Sequence, residues 1–150
     1  MLIRSLADWS ATVQLGGTLA RVLRPGDGVF LRGGLGSGKT ALAGAIIQAL
    51  GYEGLVKSPT YTLIEEYVLN RLRVIHADLY RLKQPAELET LGWWDYLDER
   101  TLTLVEWPER AQGLLKADVD VYLTVTDHGR QAQLRALSPR GAEVLDTLKP

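Results

Sequence analysis

The chain has 150 residues, 46% hydrophobic and 23% charged, with a formal net charge of −1, which describes one ordinary globular domain spanning residues 1–150 and argues against the broad basic surface that nucleic-acid binding needs. It contains no cysteine, so disulfides and thiolate metal sites are excluded, and its two histidines, His76 and His128, cannot build a zinc site alone. No apolar run approaches the length of a membrane span and the N-terminus lacks a basic-then-apolar signal pattern, so the expectation is a cytoplasmic protein with no membrane contact.

Leu2 to Leu6 reads as a first strand. Asp8 can cap a helix running to about Leu23, with Leu15, Leu19 and Val22/Leu23 on one face. Pro25-Gly26-Asp27-Gly28 turns the chain into a short apolar strand, Gly28 to Leu31. Gly33 to Thr40 follows as GGLGSGKT, and Lys39 to Leu50 reads as a helix that Gly51 ends. Lys57-Ser58-Pro59-Thr60 is a loop. Tyr61 to Leu69 and Leu72 to Ala77 are strand-like runs, with Asn70-Arg71 as the turn between them. Pro85 to Leu91 and Trp93 to Asp98 are short helical pieces separated by Gly92. Leu102 to Glu106 is a short apolar run ending in a carboxylate, and Pro108 can start one more helical turn. Val119 to Val125 and Ala132 to Ala136 alternate apolar with polar residues around a His128-Gly129 hairpin, and Ser138 to Leu148 can form a closing helix. The fold class is α/β, with a mixed sheet: a parallel core beside the glycine-rich loop and antiparallel hairpins next to it.

The stretch Gly33-Gly34-Leu35-Gly36-Ser37-Gly38-Lys39-Thr40 fits G-x-x-x-x-G-K-[ST]. Its chemistry is that of a phosphate cradle. Glycines let the backbone turn its N–H groups inward, the lysine reaches the outer phosphates, and the threonine hydroxyl reaches a magnesium ion. A strand before it and a helix after it are the setting such a loop requires, and the helix N-terminus adds partial positive charge beneath the anion. A magnesium site then needs a carboxylate at a strand end, and Glu106 has that position. Asp78, closing the second strand-like run beside His76, Tyr80 and Arg81, could orient a water for attack or hold Arg81 in an ion pair. His76 is either a proton carrier or a packed, hydrogen-bonded residue. Thr60 stands where nucleotide switches place a γ-phosphate-sensing threonine. Arg81 and Arg130 are candidates to neutralise transition-state charge. The pair Trp93-Trp94 cannot bury both rings on one face of a short helix, so one ring is expected to face outward.

Taken together, LRGGLGSGKT, KSPTYTLIEEY, HADLYRL, ELETLGWWDYL and LVEWPER, in this order and spacing, resemble the TsaE (YjeE) family, and the resemblance runs from about Trp9 to the C-terminal helix. It implies a P-loop NTPase-type three-layer fold. It also implies an ATPase needed for threonylcarbamoylation of adenosine 37 in tRNAs reading ANN codons. ATP and Mg2+ are the implied cofactors. Lys39 and the loop from Gly33 to Thr40 would hold the phosphates, Thr40 and Glu106 the magnesium, and Asp78 would serve hydrolysis. Thr60 matches the threonine of the family's SPT segment, and Trp9 and Arg130 would lie beside the nucleotide. Where relatives carry a small acid in the loop, this chain has Gly34. The partner implied is a TsaB–TsaD heterodimer, whose turnover the ATPase resets, with tRNA reached only through that complex.

Other readings remain open on the residues. A small-molecule kinase would need an arginine-bearing lid, and only about ten residues separate the nucleotide helix from the next strands. A GTPase-like switch would need an N/T-K-x-D motif, of which Leu115-Lys116-Ala117-Asp118 lacks the first residue. A non-catalytic nucleotide-dependent binding module shares every feature of the loop.

Overall fold

The computed structural model describes residues 1–150. Seven strands form one sheet: β1 (Leu2–Leu6), β2 (Gly28–Arg32), β3 (Ile64–Val68), β4 (Arg73–Asp78), β5 (Thr101–Glu106), β6 (Val119–Thr126) and β7 (Gly129–Ala136). Their order across the sheet is β1-β7-β6-β2-β5-β4-β3. The four central strands β6, β2, β5 and β4 run parallel; β7 pairs antiparallel with β6, β1 antiparallel with β7, and β3 antiparallel with β4. All six residues of β5 and the first four of β2 are buried. That is why both read as continuous apolar runs: helices cover both faces of a parallel core. In β6 the inward side chains Val119, Val121 and Leu123 alternate with Tyr122 and Thr124, because only one face of that part of the sheet meets the core.

Helices α1 (Trp9–Val22), α2 (Lys39–Ala49) and, at the C-terminus, a ten-residue helix (Pro139–Leu148) pack on one face around a core of 22 buried residues. On the other face two one-turn helices, α3 (Glu87–Thr90) and α4 (Trp93–Tyr96), and a 3-10 turn (Pro108–Ala111) enclose ten more, including Phe30, Ile75, Val105 and Trp93. The C-terminal helix is α5. Capping is local and legible. The Asp8 carboxylate accepts from the Ala11 amide at 2.9 Å, and the Ser138 hydroxyl accepts from the Gly141 amide at 3.0 Å with Pro139 in the first turn. Trp93 is buried at 2% exposure and Trp94 lies 44% exposed, as their adjacency requires. This is an α/β fold of the P-loop NTPase type, with a mixed seven-stranded sheet between two helical layers.

Two boundaries differ from the sequence expectation. The run from Tyr61 does not enter the sheet until Ile64. The Leu63 amide donates to the Pro59 carbonyl at 2.7 Å and Leu63 takes a left-handed φ of 67°, so Pro59 to Leu63 close a turn. The β6–β7 turn is Asp127-His128 rather than His128-Gly129. Gly129 already pairs with Thr126 in the ladder, at φ 131°, and a Cβ there would meet the backbone of Leu6 and Ala7.

Helix α2 is set in place by a close helix crossing. A Cβ added at Gly16 of α1 would stand 2.6 Å from the Ala45 Cβ of α2. Gly16→Val is therefore expected to cost about 2 kcal/mol by overpacking and to lower the melting temperature by about 5 °C, read by thermal denaturation followed by circular dichroism.

Candidate nucleotide site

The loop between β2 and α2 leaves the sheet at its carboxyl edge, where parallel α/β sheets present their ligand crevices. Gly33 has φ 143°, Gly36 φ 74° and Gly38 φ 105°, conformations that side chains rarely adopt. Gly33 is also sterically closed, since a Cβ there would press on the Leu123 carbonyl and the Ser37 hydroxyl. Gly34 has ordinary φ and nothing within 4 Å of an added Cβ. Leu35 is 72% exposed on the outside of the loop, and Ser37 is buried inside it. Helix α2 begins at Gly38 with no side-chain cap, unlike α1 and α5. Its first amides therefore point at the loop without an intrahelical partner, as an anion site demands.

A pair of substitutions separates these glycines. Gly33→Ala should cost about 3 kcal/mol through backbone strain and abolish nucleotide binding. Gly34→Asp should leave affinity within about twofold, as for an unstrained surface position. Isothermal titration with ATP, beside a melting curve, reads both.

Lys39 is 5% exposed and folds back over the loop. Its Nζ donates to the Gly33 carbonyl at 2.8 Å and the Gly34 carbonyl at 2.7 Å, and lies 4.4 Å from the centre of the Trp107 ring. Burial pushes the ammonium below the usual lysine range, partly offset by the charges of Glu106, Asp78 and Glu109. Trp107 has a left-handed φ of 57°, so the chain turns sharply after β5 and brings the ring under the ammonium. The Tyr80 ring packs against the Trp107 ring at 4.9 Å between centroids.

Thr40 Oγ1 lies 2.9 and 3.0 Å from the two carboxylate oxygens of Glu106. A hydroxyl and a carboxylate in contact at the end of a phosphate-binding loop are hard oxygen donors of the kind magnesium takes. No group of three or more His, Cys, Asp or Glu side chains is placed to hold a metal by itself. Asp78 is the register partner of Glu106 across β4 and β5, so the two carboxylates stand side by side on one face. Asp78 Oδ1 accepts from the Tyr80 amide at 3.0 Å. Burial holds its carboxyl above the usual range, Glu106 adding to the rise while the Tyr80 amide, His76 and Lys39 oppose it.

Arg130 reaches the loop from β7: its guanidinium donates to the Gly36 carbonyl at 3.0 Å, and its Nε is buried without a partner. Trp9 is 69% exposed at the start of α1, three residues beyond Leu6, the register partner of Arg130. The Trp9 ring makes no hydrogen bond or aromatic contact to the loop. Thr60 sits in the Pro59–Leu63 turn, its hydroxyl 2.7 Å from that of Ser58 and not bonded to the loop. The turn is nevertheless tied to the end of β4, where the Asp78 amide donates to the Leu63 carbonyl at 2.9 Å. Arg81 points away and stacks over the Tyr61 ring at 4.4 Å. Sequence reasoning did not foresee the contact between His76 and Glu106, 2.6 Å from Nε2 to Oε2. The signal for it was the two-residue spacing of His76 and Asp78, which puts both on one face of a strand. At the opposite end of β2 and β5 lies an open depression of about 550 Å³. In its lining, Asp118 accepts from the Gly28 amide and from the Ser138 hydroxyl.

Comparison with known proteins agrees over most of the chain. The family model described as "Threonylcarbamoyl adenosine biosynthesis protein TsaE" matches residues 6–135. The tRNA threonylcarbamoyladenosine biosynthesis protein TsaE of Haemophilus influenzae is 43% identical over 118 residues, covering 78% of this chain and 75% of that protein. The protein of the same name from Nostoc sp. is 37% identical over 134 residues, covering 86% and 82%. The crystal structure of Bacillus subtilus YdiB superposes with a TM-score of 0.84 at 26% identity, covering 98% of this chain and 93% of that one. Loop, sheet and partner carboxylate thus occur within a match that spans nearly the whole domain, and the chain belongs to the TsaE family.

Proposed function

We propose that this chain is the ATP-binding and ATP-hydrolysing subunit of tRNA threonylcarbamoyladenosine formation, acting on a TsaB–TsaD heterodimer so that it can turn over repeatedly. The family and the names of its relatives support the pathway. The observation that carries the nucleotide reading is the alignment of three parts at one sheet edge. These are an uncapped helix N-terminus, a buried lysine folded on its own loop carbonyls, and a threonine hydroxyl shared by both oxygens of a strand-end carboxylate.

In this reading the loop amides bind the phosphates, and Lys39 exchanges the Gly33 and Gly34 carbonyls for phosphate oxygens. Thr40 and Glu106 would hold Mg2+, which when bound supplies charge compensation on the phosphates. Asp78, with Oδ1 fixed by the Tyr80 amide, turns Oδ2 to an attacking water and accepts its proton. Arg130 releases the Gly36 carbonyl to reach the nucleotide, Trp9 flanks it, and Thr60 moves with the turn anchored to the end of β4. The TsaB–TsaD complex holds the tRNA, which fits a chain of net charge −1.

The test is calorimetric binding of ATP and GTP with magnesium, together with phosphate release in the presence and absence of TsaB–TsaD. ATP preference and free phosphate released in the complex support the assignment. Clear GTP preference, or stoichiometric transfer of phosphate to a small-molecule acceptor, overturns it.

A further inference from the structure

We propose that His76 is a positioning residue for Glu106, fixing the carboxylate that faces Thr40. The inference rests on the magnesium reading of the Thr40–Glu106 pair and adds to it a residue that acts only through Glu106.

His76 is fully buried in β4. It lies opposite Leu104 in the β4–β5 ladder, two positions before the Asp78–Glu106 pair, so its side chain shares the face from which Glu106 projects. On β4 and β5 its neighbours on the same face, Val74, Leu102 and Leu104, have no exposure, and on β3 its register partner is the half-buried Glu65. A polar ring in such a row needs a partner, and its only hydrogen-bond partner is Glu106 Oε2, at 2.6 Å.

The tautomer follows from what surrounds the ring. A carboxylate oxygen accepts, so the nitrogen facing it carries the proton and donates. Nδ1 has no partner. With the proton on Nε2, the unpartnered Nδ1 presents only a lone pair; the opposite tautomer would leave a buried N–H without an acceptor and set two acceptors against each other at Glu106.

Glu106 is therefore held from two sides. Thr40 Oγ1 contacts both carboxylate oxygens and His76 contacts Oε2. A free carboxylate on a glutamate stem would rotate about its last torsion; this one is clamped, with Oε2 on the histidine and both oxygens facing Thr40 at the start of α2. Thr40 cannot do this alone, because its hydroxyl would turn to an ion's coordination sphere once one is bound. His76, lying behind the carboxylate, stays as the donor that keeps its orientation.

Two substitutions test it. In His76→Gln the side-chain amide can supply a donor near the position of Nε2; in His76→Leu the volume remains apolar and the donor is lost. Without magnesium, both variants should bind ATP as the parent does. In a magnesium titration at fixed ATP, His76→Leu should need about 10–100-fold more metal for its half-maximal effect, the usual cost of losing an outer-shell partner, and His76→Gln about threefold at most. A readout that needs neither metal nor nucleotide is the long-range 1H–15N imidazole spectrum of the His128→Gln protein, in which His76 is the only histidine. It should show the proton on Nε2. A proton on Nδ1, an unchanged magnesium dependence in His76→Leu, or equal loss in both variants overturns the positioning role. If the parent protein binds ATP without any response to magnesium, the metal reading itself falls and the inference with it; a parental response retained in His76→Leu removes the inference alone.

Discussion

Lys39→Ala is expected to weaken ATP binding by about 100-fold, the equivalent of about 2.7 kcal/mol for lost hydrogen bonds to a charged group. The size follows from where the ammonium is kept. It is almost fully buried, against two loop carbonyls, the Ser37 hydroxyl and an aromatic face, so its charge acts through a medium that screens it poorly. Burial already holds it below the usual lysine range. An incoming phosphate replaces two neutral acceptors with charged ones, and the interaction lost in the alanine variant is the charged one. Lys39→Arg should not rescue, because a planar fork cannot take the place of a compact ammonium wedged between the loop and the Trp107 ring. Calorimetric titration with ATP, on protein shown to be folded by circular dichroism, measures both.

Asp78→Asn should separate binding from hydrolysis: ATP affinity retained and phosphate release in the reconstituted complex cut by about 100-fold or more, the contribution of a positioned general base. The asparagine Oδ1 can keep the bond from the Tyr80 amide, so the backbone there is undisturbed. The same substitution should raise thermal stability at neutral pH. Burial lifts the folded-state pKa of Asp78 above its unfolded value. Its ionised form is thus disfavoured by folding, a penalty fully present above the folded pKa and absent below the unfolded one. The gain in melting temperature for Asp78→Asn should therefore be seen at neutral pH and shrink as the pH is lowered through the aspartate range. A stabilised variant that no longer hydrolyses would mark Asp78 as a residue kept for chemistry at the expense of the fold. Loss of both stability and ATP binding would make it structural.

The glycine-rich loop was legible because everything it needs is local. Gly33, Gly36 and Gly38 meet their positive φ values within six residues, and the strand before and helix after them follow from short apolar patterns. The same holds for the Asp8 and Ser138 caps. Glu106 was readable as a carboxylate ending an apolar strand, but its contact with Thr40 depends on β5 lying beside β2, which no local pattern states. Arg130 shows the limit most clearly. It reaches Gly36 only because β7 pairs antiparallel with β6 while β6 runs parallel beside β2, an order that arises from burial over the whole sheet. His76 was visible as a histidine in a strand and ambiguous between proton carrier and packed residue; the register of β4 on β5 turned it toward Glu106. The Pro59–Leu63 turn was hidden for the opposite reason: a strand-like composition was overridden by one backbone bond that forces Leu63 into a left-handed conformation.

The most direct test of the whole account is the number of threonylcarbamoylated tRNA molecules formed per TsaB–TsaD heterodimer, with all other substrates in excess and this chain present or absent. With the chain and ATP, product should accumulate well beyond one per heterodimer, and with the Lys39→Ala chain it should stop near one. Product that stops near one with the intact chain, or that continues equally with Lys39→Ala, would contradict the assignment of this domain as the ATP-driven subunit of the complex.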